Sequence, residues 1–178
     1  MLKIVQIPNP VLTTPVKPVE KIDNKIKQLV YDMEETLIAC VDPQGVGLAA
    51  PQVGVSLALF IIKPEEDSDT EVFINPKIVE HGTYNIKHEK NNKKKNEQLE
   101  GCLSIPKIWS PVRRPDKVLV EYQDLTGERH TEWFTGFKAV IIQHEVDHLN
   151  GVLFTQRAVE QNIPLFEEKK DELKKIDF

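Results

Sequence analysis

Residues 143–151 read Gln143-His144-Glu145-Val146-Asp147-His148-Leu149-Asn150-Gly151. The spacing of the two histidines predicts a helix. One turn apart, His144 and His148 share a face, and two imidazole nitrogens can then reach one metal ion. Glu145 falls beside that ion without being needed as a ligand, which suits a carboxylate that moves protons for a metal-activated water. Asp147 points off the histidine face and reads as a surface or helix-supporting carboxylate. The same helix extends back to Phe137, and Asn150-Gly151 closes it.

The flanking sequence predicts the frame for that helix. Val118, Val120 and Tyr122 alternate with charged residues as in a half-buried strand, Leu125-Thr126-Gly127-Glu128 makes a hairpin turn, and His130 to Phe134 returns as a strand. Leu57 to Ile62 is a continuous apolar run, read as a buried strand, and Val72 to Val79 is another, interrupted at Asn75-Pro76. Between Asp23 and Cys40, Ile26, Leu29, Val30, Met33 and Leu37 recur at helical spacing, and Pro43 and Gly45 end that helix. Residues 4–16 read as an extended arm with turns at Pro8, Pro10 and Pro15. Pro164 to Ile176, with Leu165, Phe166, Leu173 and Ile176 apolar, is expected to form a final amphipathic helix. Residues 83–98 are polar and nearly core-free and read as a long exposed insertion loop, with Lys93 to Lys95 solvated. Short strands followed by one central helix predict the α+β class: small antiparallel or mixed β-sheets packed around the metal-bearing helix, with an N-terminal and a C-terminal helix. No repeat or linker divides the chain, so residues 1–178 are read as a single catalytic domain.

With 178 residues, 40% hydrophobic and 29% charged, the chain has the composition of a globular domain that can bury its own core. A net charge of −5 argues against general nucleic-acid binding, and no specific DNA partner is expected. No apolar run is long enough to span a bilayer, and Met1 to Gln6 lacks a signal-peptide pattern. The expectation is a monomer of bacterial-type cytoplasm or an organelle, without a membrane partner. The two cysteines, Cys40 and Cys102, read as one buried thiol and one chemical thiol.

Two histidines do not complete a catalytic metal site, which usually has three protein ligands and an open position. Cys102, in Glu100-Gly101-Cys102-Leu103-Ser104, is the strongest third candidate, because a thiolate is a good ligand for zinc or ferrous iron. His81, His88 and His130 are weaker. A third segment, Gly45-Val46-Gly47-Leu48-Ala49-Ala50-Pro51-Gln52, clears space beside a backbone with which an extended peptide could pair. Gln52 adds a neutral amide of the type that stabilises an oxyanion. Counting back from His144, Ile141, Val140 and Phe137 share or adjoin its helix face, and with Val46 and the stem of Glu100 they predict a slot for an unbranched apolar side chain.

Gly45 to Gln52, Glu100 to Ser104 and Gln143 to His148 together resemble, in order, the three signature motifs of the peptide deformylase family. The resemblance also covers Asn9-Pro10-Val11-Leu12, Ile74-Asn75-Pro76 and Asn150-Gly151-Val152-Leu153-Phe154, and spans about residues 4 to 157. It implies removal of the formyl group from the N-terminal formylmethionine of newly made proteins, with release of formate. By the same resemblance, Cys102, His144 and His148 hold one divalent metal ion, with Fe(II) as the native ion and Zn(II), Ni(II) or Co(II) as substitutes. Metal-activated water attacks the formyl carbon, with Glu145 as general acid and base. Gln52 and the backbone N–H of Leu103 stabilise the tetrahedral intermediate, and Gly47 offers its backbone to the peptide. Glu100 pairs with Arg114. The partners implied are nascent formyl-Met polypeptides, with transient contact to the ribosome. The chain departs from the family pattern at Thr13 and Thr14, in the length of 83–98, and at Trp109, where some members carry a substrate-contacting arginine. Two rival functions use the same helix motif: a zinc endopeptidase, and a non-catalytic metal-binding relative. The first normally takes a downstream His or Glu as third ligand, and the second needs a fourth protein ligand.

Overall fold

Asp23 starts the first helix, α1 (Asn24–Ile38), by accepting the amides of Lys25 and Ile26 at 2.9 and 3.2 Å. This satisfies two of the donors that a helix start leaves unpaired. Ile26, Val30, Met33 and Leu37 form its buried stripe. The computed structural model describes residues 1–82, 99–170 and 172–176. The expected insertion loop at 83–98 lies outside the described residues.

Five strands, β1 (Gly47–Ala49), β2 (Leu59–Ile62), β3 (Glu71–His81), β6 (Lys117–Gln123) and β7 (Arg129–Thr135), form an antiparallel sheet in the order β1-β2-β3-β6-β7. A second antiparallel sheet contains β4 (Glu100–Cys102), β5 (Ile105–Ser110), β8 (Leu165–Lys169) and β9 (Glu172–Ile176), in that order. The first sheet is covered on both faces. Leu59 and Ile61 pack with α1, whereas Phe60 and Ile62 pack with Ala139, Ile141 and Ile142 of α2 (Gly136–Leu149). That double cover is why β2 reads as an unbroken apolar run instead of an alternating one. β3 crosses Asn75-Pro76 without ending. Asn75 adopts a φ of 50° at a register shift, and its side-chain amide pairs with both the N–H and the carbonyl of Val19, at 2.8 and 2.9 Å.

Helix α2 is buried on nearly every side, its polar residues Gln143, His144, Glu145, Asp147 and His148 included. Buried polar groups cost stability unless paired. Gln143 meets that need by donating to the carbonyls of Pro115 and Ala139, both at 2.8 Å. The N-terminal arm, which contains a 3-10 turn at Pro10–Thr13, ties the functional segments together. Val5 N–H donates to Gln52 O at 2.8 Å, Ile7 N–H to Ser104 O at 3.2 Å, and Val16 N–H to Leu149 O at 3.0 Å.

One expected element is corrected. Within the stretch expected as an amphipathic helix, Pro164 to Ile176, Leu165–Lys169 and Glu172–Ile176 pair instead as the antiparallel strands β8 and β9. The helix on the C-terminal side of α2 is the short α3 (Phe154–Glu160). Leu165 and Phe166 explain the outcome. As strand neighbours they point to opposite faces, so Leu165 packs with Leu12, Leu153 and Phe154 while Phe166 lines a cleft. Cys40 is half-buried, with its thiol donating to Thr36 O at 3.3 Å, and is not a fully buried thiol. No helix among the described residues is long and apolar enough to cross a membrane.

Gly151 fixes where α2 ends against the arm. It has a φ of 69°, and a Cβ there would stand 2.7 Å from the Thr13 carbonyl carbon and 2.8 Å from Thr14 N. Gly151→Ala should lower Tm by roughly 3–10 °C, since left-handed strain alone costs about 1–3 kcal/mol. Calorimetry checks it, and an unchanged Tm would mean that the arm is not pressed on the helix end.

Candidate metal centre and active site

Helix α2 and strand β4 bring three ligand-type atoms together. The thiol of Cys102 and one ring nitrogen each from His144 and His148 lie within 4.8 Å of one another, all buried. Cys102 Sγ is 3.1 Å from His148 Nε2. His144 uses Nδ1 for Glu100, at 2.6 Å from Oε1, which leaves Nε2 for the centre. A carboxylate on the far nitrogen fixes the tautomer and ring orientation of a ligating histidine. One soft thiolate and two imidazoles therefore form a donor set that fits ferrous iron or zinc. Burial pushes the Cys102 thiol up, but the field of His148 and hydrogen bonds from both histidines outweigh it and hold the thiol at about 5. The cysteine is thus prepared as a thiolate. Burial pulls His144 down, yet its bonds to Cys102 and Glu100 win and push it well above the usual imidazole value.

A run of alternating charges supports these ligands. Arg114 donates to both oxygens of Glu100, each at 2.7 Å, and to Asp147 at 2.9 Å. Asp147 also accepts from Arg157 at 2.7 and 3.1 Å, and Arg157 reaches Glu160 at 3.0 Å. Burial opposes ionisation of Glu100, but Arg114 and His144 hold its carboxyl down at about 2. Asp147 is buried under two arginines; it supports the helix and is not a surface residue.

Glu145 has the opposite surroundings. It is 3% exposed, its Oε2 has no hydrogen-bond partner, and burial pushes its carboxyl up to about 7. Gly47 is what admits it. A Cβ on Gly47 would collide with Glu145 Oε1 and lie 2.9 Å from both Glu145 Cδ and Ile141 Cγ2. Gln52 sits at the same place. Its Oε1 accepts the amide of Ala49 at 2.8 Å, so its NH2 faces Cys102, with Nε2 3.5 Å from Sγ.

A cleft of about 700 Å³ opens onto this centre. It is lined by Val46, Gly47, Gln52, Glu100, Cys102, Leu103, Phe137, Val140, Ile141, His144 and Glu145. His148 alone of the sequence-derived site residues lies behind the wall, 1% exposed. Among the described residues, β1 and β4 each have a strand partner on one side only. The Val46 carbonyl accepts Lys63 N–H at 2.8 Å, so strand alternation turns the Gly47 amide and carbonyl to the open edge. The weaker ligand candidates sit elsewhere. His81 ends β3, His88 lies outside the described residues, and His130 on β7 pairs with Asp124 of the β6–β7 turn at 2.8 Å. The sequence reading missed Arg157, Phe166 and Pro164. The carboxylate of Asp147, in a helix of mostly apolar residues, was the available signal for Arg157; nothing local marked the other two.

The family model for polypeptide deformylase matches residues 1–163. A peptide deformylase of Dictyoglomus thermophilum is 41% identical over 161 residues, covering 90% of this chain and 95% of that protein. Peptide deformylase 1 of Bacillus cereus is 41% identical over 159 residues, covering 88% and 92%. Among solved structures, the peptide deformylase of Synechococcus elongatus in complex with actinonin superposes with a TM-score of 0.74 at 38% identity, over 88% of this chain and 78% of that one. The peptide deformylase of Thermotoga maritima gives 0.71 at 36% identity, over 88% and 97%. The family match over nearly the whole chain, with relatives of this identity and coverage, shows that the chain belongs to the peptide deformylase family of hydrolases.

Proposed function

We propose that this hydrolase removes the formyl group from formylmethionine at the start of new polypeptides, using Cys102, His144 and His148 to hold one divalent metal ion. Membership of a metal-dependent deformylase family supports the reaction class. The observation that carries the assignment to residues is the meeting of the three ligand-type atoms with an unpartnered Glu145 oxygen and the Gln52 amide at one end of a single cleft. When bound, the ion supplies an acidified water and an electrophile for the formyl oxygen.

The chain's own groups do the rest. Glu145 takes the proton of the attacking water and gives it to the leaving amine. The Gln52 amide and the Leu103 N–H donate to the oxyanion as it develops. The open edge of β1 at Gly47 pairs with the substrate backbone, in the manner of an added strand. Phe137, Val140, Ile141, Val46 and the stem of Glu100 accept the methionine side chain, whose unbranched thioether suits an apolar slot. An endopeptidase of the same helix motif would need a downstream His or Glu ligand, whereas the group formed here takes Cys102 from β4.

Three measurements check the reading. Formate release from formyl-Met peptides should exceed turnover of acetyl-Met peptides roughly a hundredfold or more, because Gly47 leaves little space beside Glu145 for an added methyl; equal rates would end the deformylase assignment. Glu145→Gln should keep its metal, read by elemental analysis, and lose about 10²- to 10⁴-fold in kcat, since an amide cannot carry the proton. A near-normal kcat would move the acid/base role to another group. Fe(II) is proposed as the native ion, so anaerobically loaded iron protein should turn over faster than zinc protein and decay in air, Fe(II) and the thiolate both being oxidisable. An iron form that is air-stable and no faster than zinc contradicts that choice.

A further inference from the structure

The guanidinium of Arg114 is engaged on every nitrogen. Nε and Nη2 each donate to Glu100 at 2.7 Å, and Nη1 donates to Asp147 at 2.9 Å. A planar fork held in this way cannot slide or turn without losing a partner. It therefore passes the position of its own backbone on to Glu100, and through Glu100 to the His144 ring. That backbone lies in 111–116, which joins β5 to β6 without regular structure, so other parts of the chain must hold it. Resting on the deformylase reading and its metal ligands, we propose that Gln161, at the end of α3, is a positioning residue for the reaction: its side chain clamps Arg113, which sets Arg114, Glu100 and the ligating ring of His144.

The clamp has two points. The Arg113 N–H donates to Gln161 Oε1 at 2.8 Å, and Gln161 Nε2 donates to the Arg113 carbonyl at 2.9 Å. One side-chain amide thus pairs with both backbone groups of a single residue, as a neighbouring antiparallel strand would. Its anchor is firm. The Gln161 N–H closes α3 on Arg157 O at 3.0 Å, the Ile163 N–H bonds Ala158 O at 2.8 Å, and Ala158 and Ile163 are both buried. On the other side of Arg114, the Pro115 carbonyl accepts from Gln143, the neighbour of His144, at 2.8 Å. Arg114 therefore stands between two glutamine clamps, one from α3 and one from α2. Arg157 reaches Asp147 from the same short helix, so α3 acts on Arg114 twice, through its backbone and through the carboxylate it shares. Both bonds of the Gln161 clamp are exposed, and water can replace them without leaving a buried group unpaired. Losing the clamp thus costs the loop its fixed place more than it costs the fold its stability.

The test uses full-length protein loaded with Co(II). Gln161→Met keeps the side-chain length and a good helix former while removing both bonds. Replacing a group that holds a ligating histidine by its far nitrogen changes metal affinity or activity about 10- to 100-fold, and Gln161 acts at one further remove. The variant should release Co(II) to a chelator about three- to tenfold faster than wild type and change the Co(II) absorption spectrum. It should also lower kcat on formyl-Met-Ala-Ala-Ala by about the same factor, with KM within about twofold. Gln161→Glu keeps the acceptor for the Arg113 N–H and should restore part of each loss. Asp23→Ala, which uncaps α1 and touches none of these groups, shows what ordinary destabilisation does: it should lower Tm at least as far and leave metal release and kcat near wild type. In an Arg114→Lys background Gln161→Met should add less than about twofold, because the fork it positions is gone. If Arg114→Lys does not fold, the single variants decide. Wild-type metal release and spectrum in Gln161→Met, or losses that Asp23→Ala reproduces, overturn the clamp while leaving the deformylase reading standing. Absence of formate release by wild-type protein from every formyl-Met peptide overturns that reading and the clamp with it.

Discussion

The Glu100 carboxylate is the joint on which the site depends. It holds His144 by Nδ1 and is itself held by both arms of Arg114, which reaches on to Asp147. Strand β4, the segment before β6, helix α2 and, through Arg157, helix α3 are thereby tied into one charge chain, buried at Glu100, Arg114 and Asp147. Such a chain is not a source of stability by comparison with a well-packed apolar core. Its effect lies in intolerance: removing one partner from a buried pair costs about 3–5 kcal/mol, because the charge left behind has no solvent. The imidazole orientation and the position of the Cys102 strand are thus over-determined by groups that never touch substrate.

Backbone approach is the second constraint. Two glycines remove the side chains that would keep the elements apart. At Gly47 the edge strand comes close enough to touch Glu145 and Ile141, and at Gly101 the ligand strand comes close enough to touch the Trp109 ring. Among the described residues both strands have a strand partner on one side only, and both border the same cleft. A substrate that bonds through its main chain can use such edges whatever its side chains are, which suits an activity on many different new polypeptides.

Much of this was readable without coordinates, for reasons that differ by residue. His144 and His148 were legible because helical period alone aligns them. Leu57 to Ile62 was legible as a buried strand because both its faces are covered. Cys102 could be picked out by donor chemistry. The hairpin at 164–176 was not legible, because its structure is decided by partners far away in sequence: β5 offers an edge, and opposite faces want Leu165 and Phe166. Local spacing of four apolar residues carries no information about that edge, and tertiary context overrides propensity most easily in short, charged segments. Asp147 was only half legible. Helix geometry correctly took it off the ligand face, but its burial depends on Arg114 and Arg157 arriving from two other segments.

The division of labour between carboxylates follows from the same partners. Glu100 and Glu145 are both almost fully buried, and both stand beside the histidine ligands. Desolvation alone would push both carboxyls up. Glu100 gains three hydrogen bonds from Arg114 and His144 and is driven the other way, to about 2. Glu145 receives no arginine, keeps one oxygen without a partner and rises to about 7. Two carboxyls whose environments separate them this widely are suited to different tasks: one is a permanent charge, and the other can exchange a proton near neutrality. The unpartnered Glu145 oxygen is therefore as much a part of the site as the three donor atoms, and Gly47, by lacking a side chain, gives that carboxyl its place beside them.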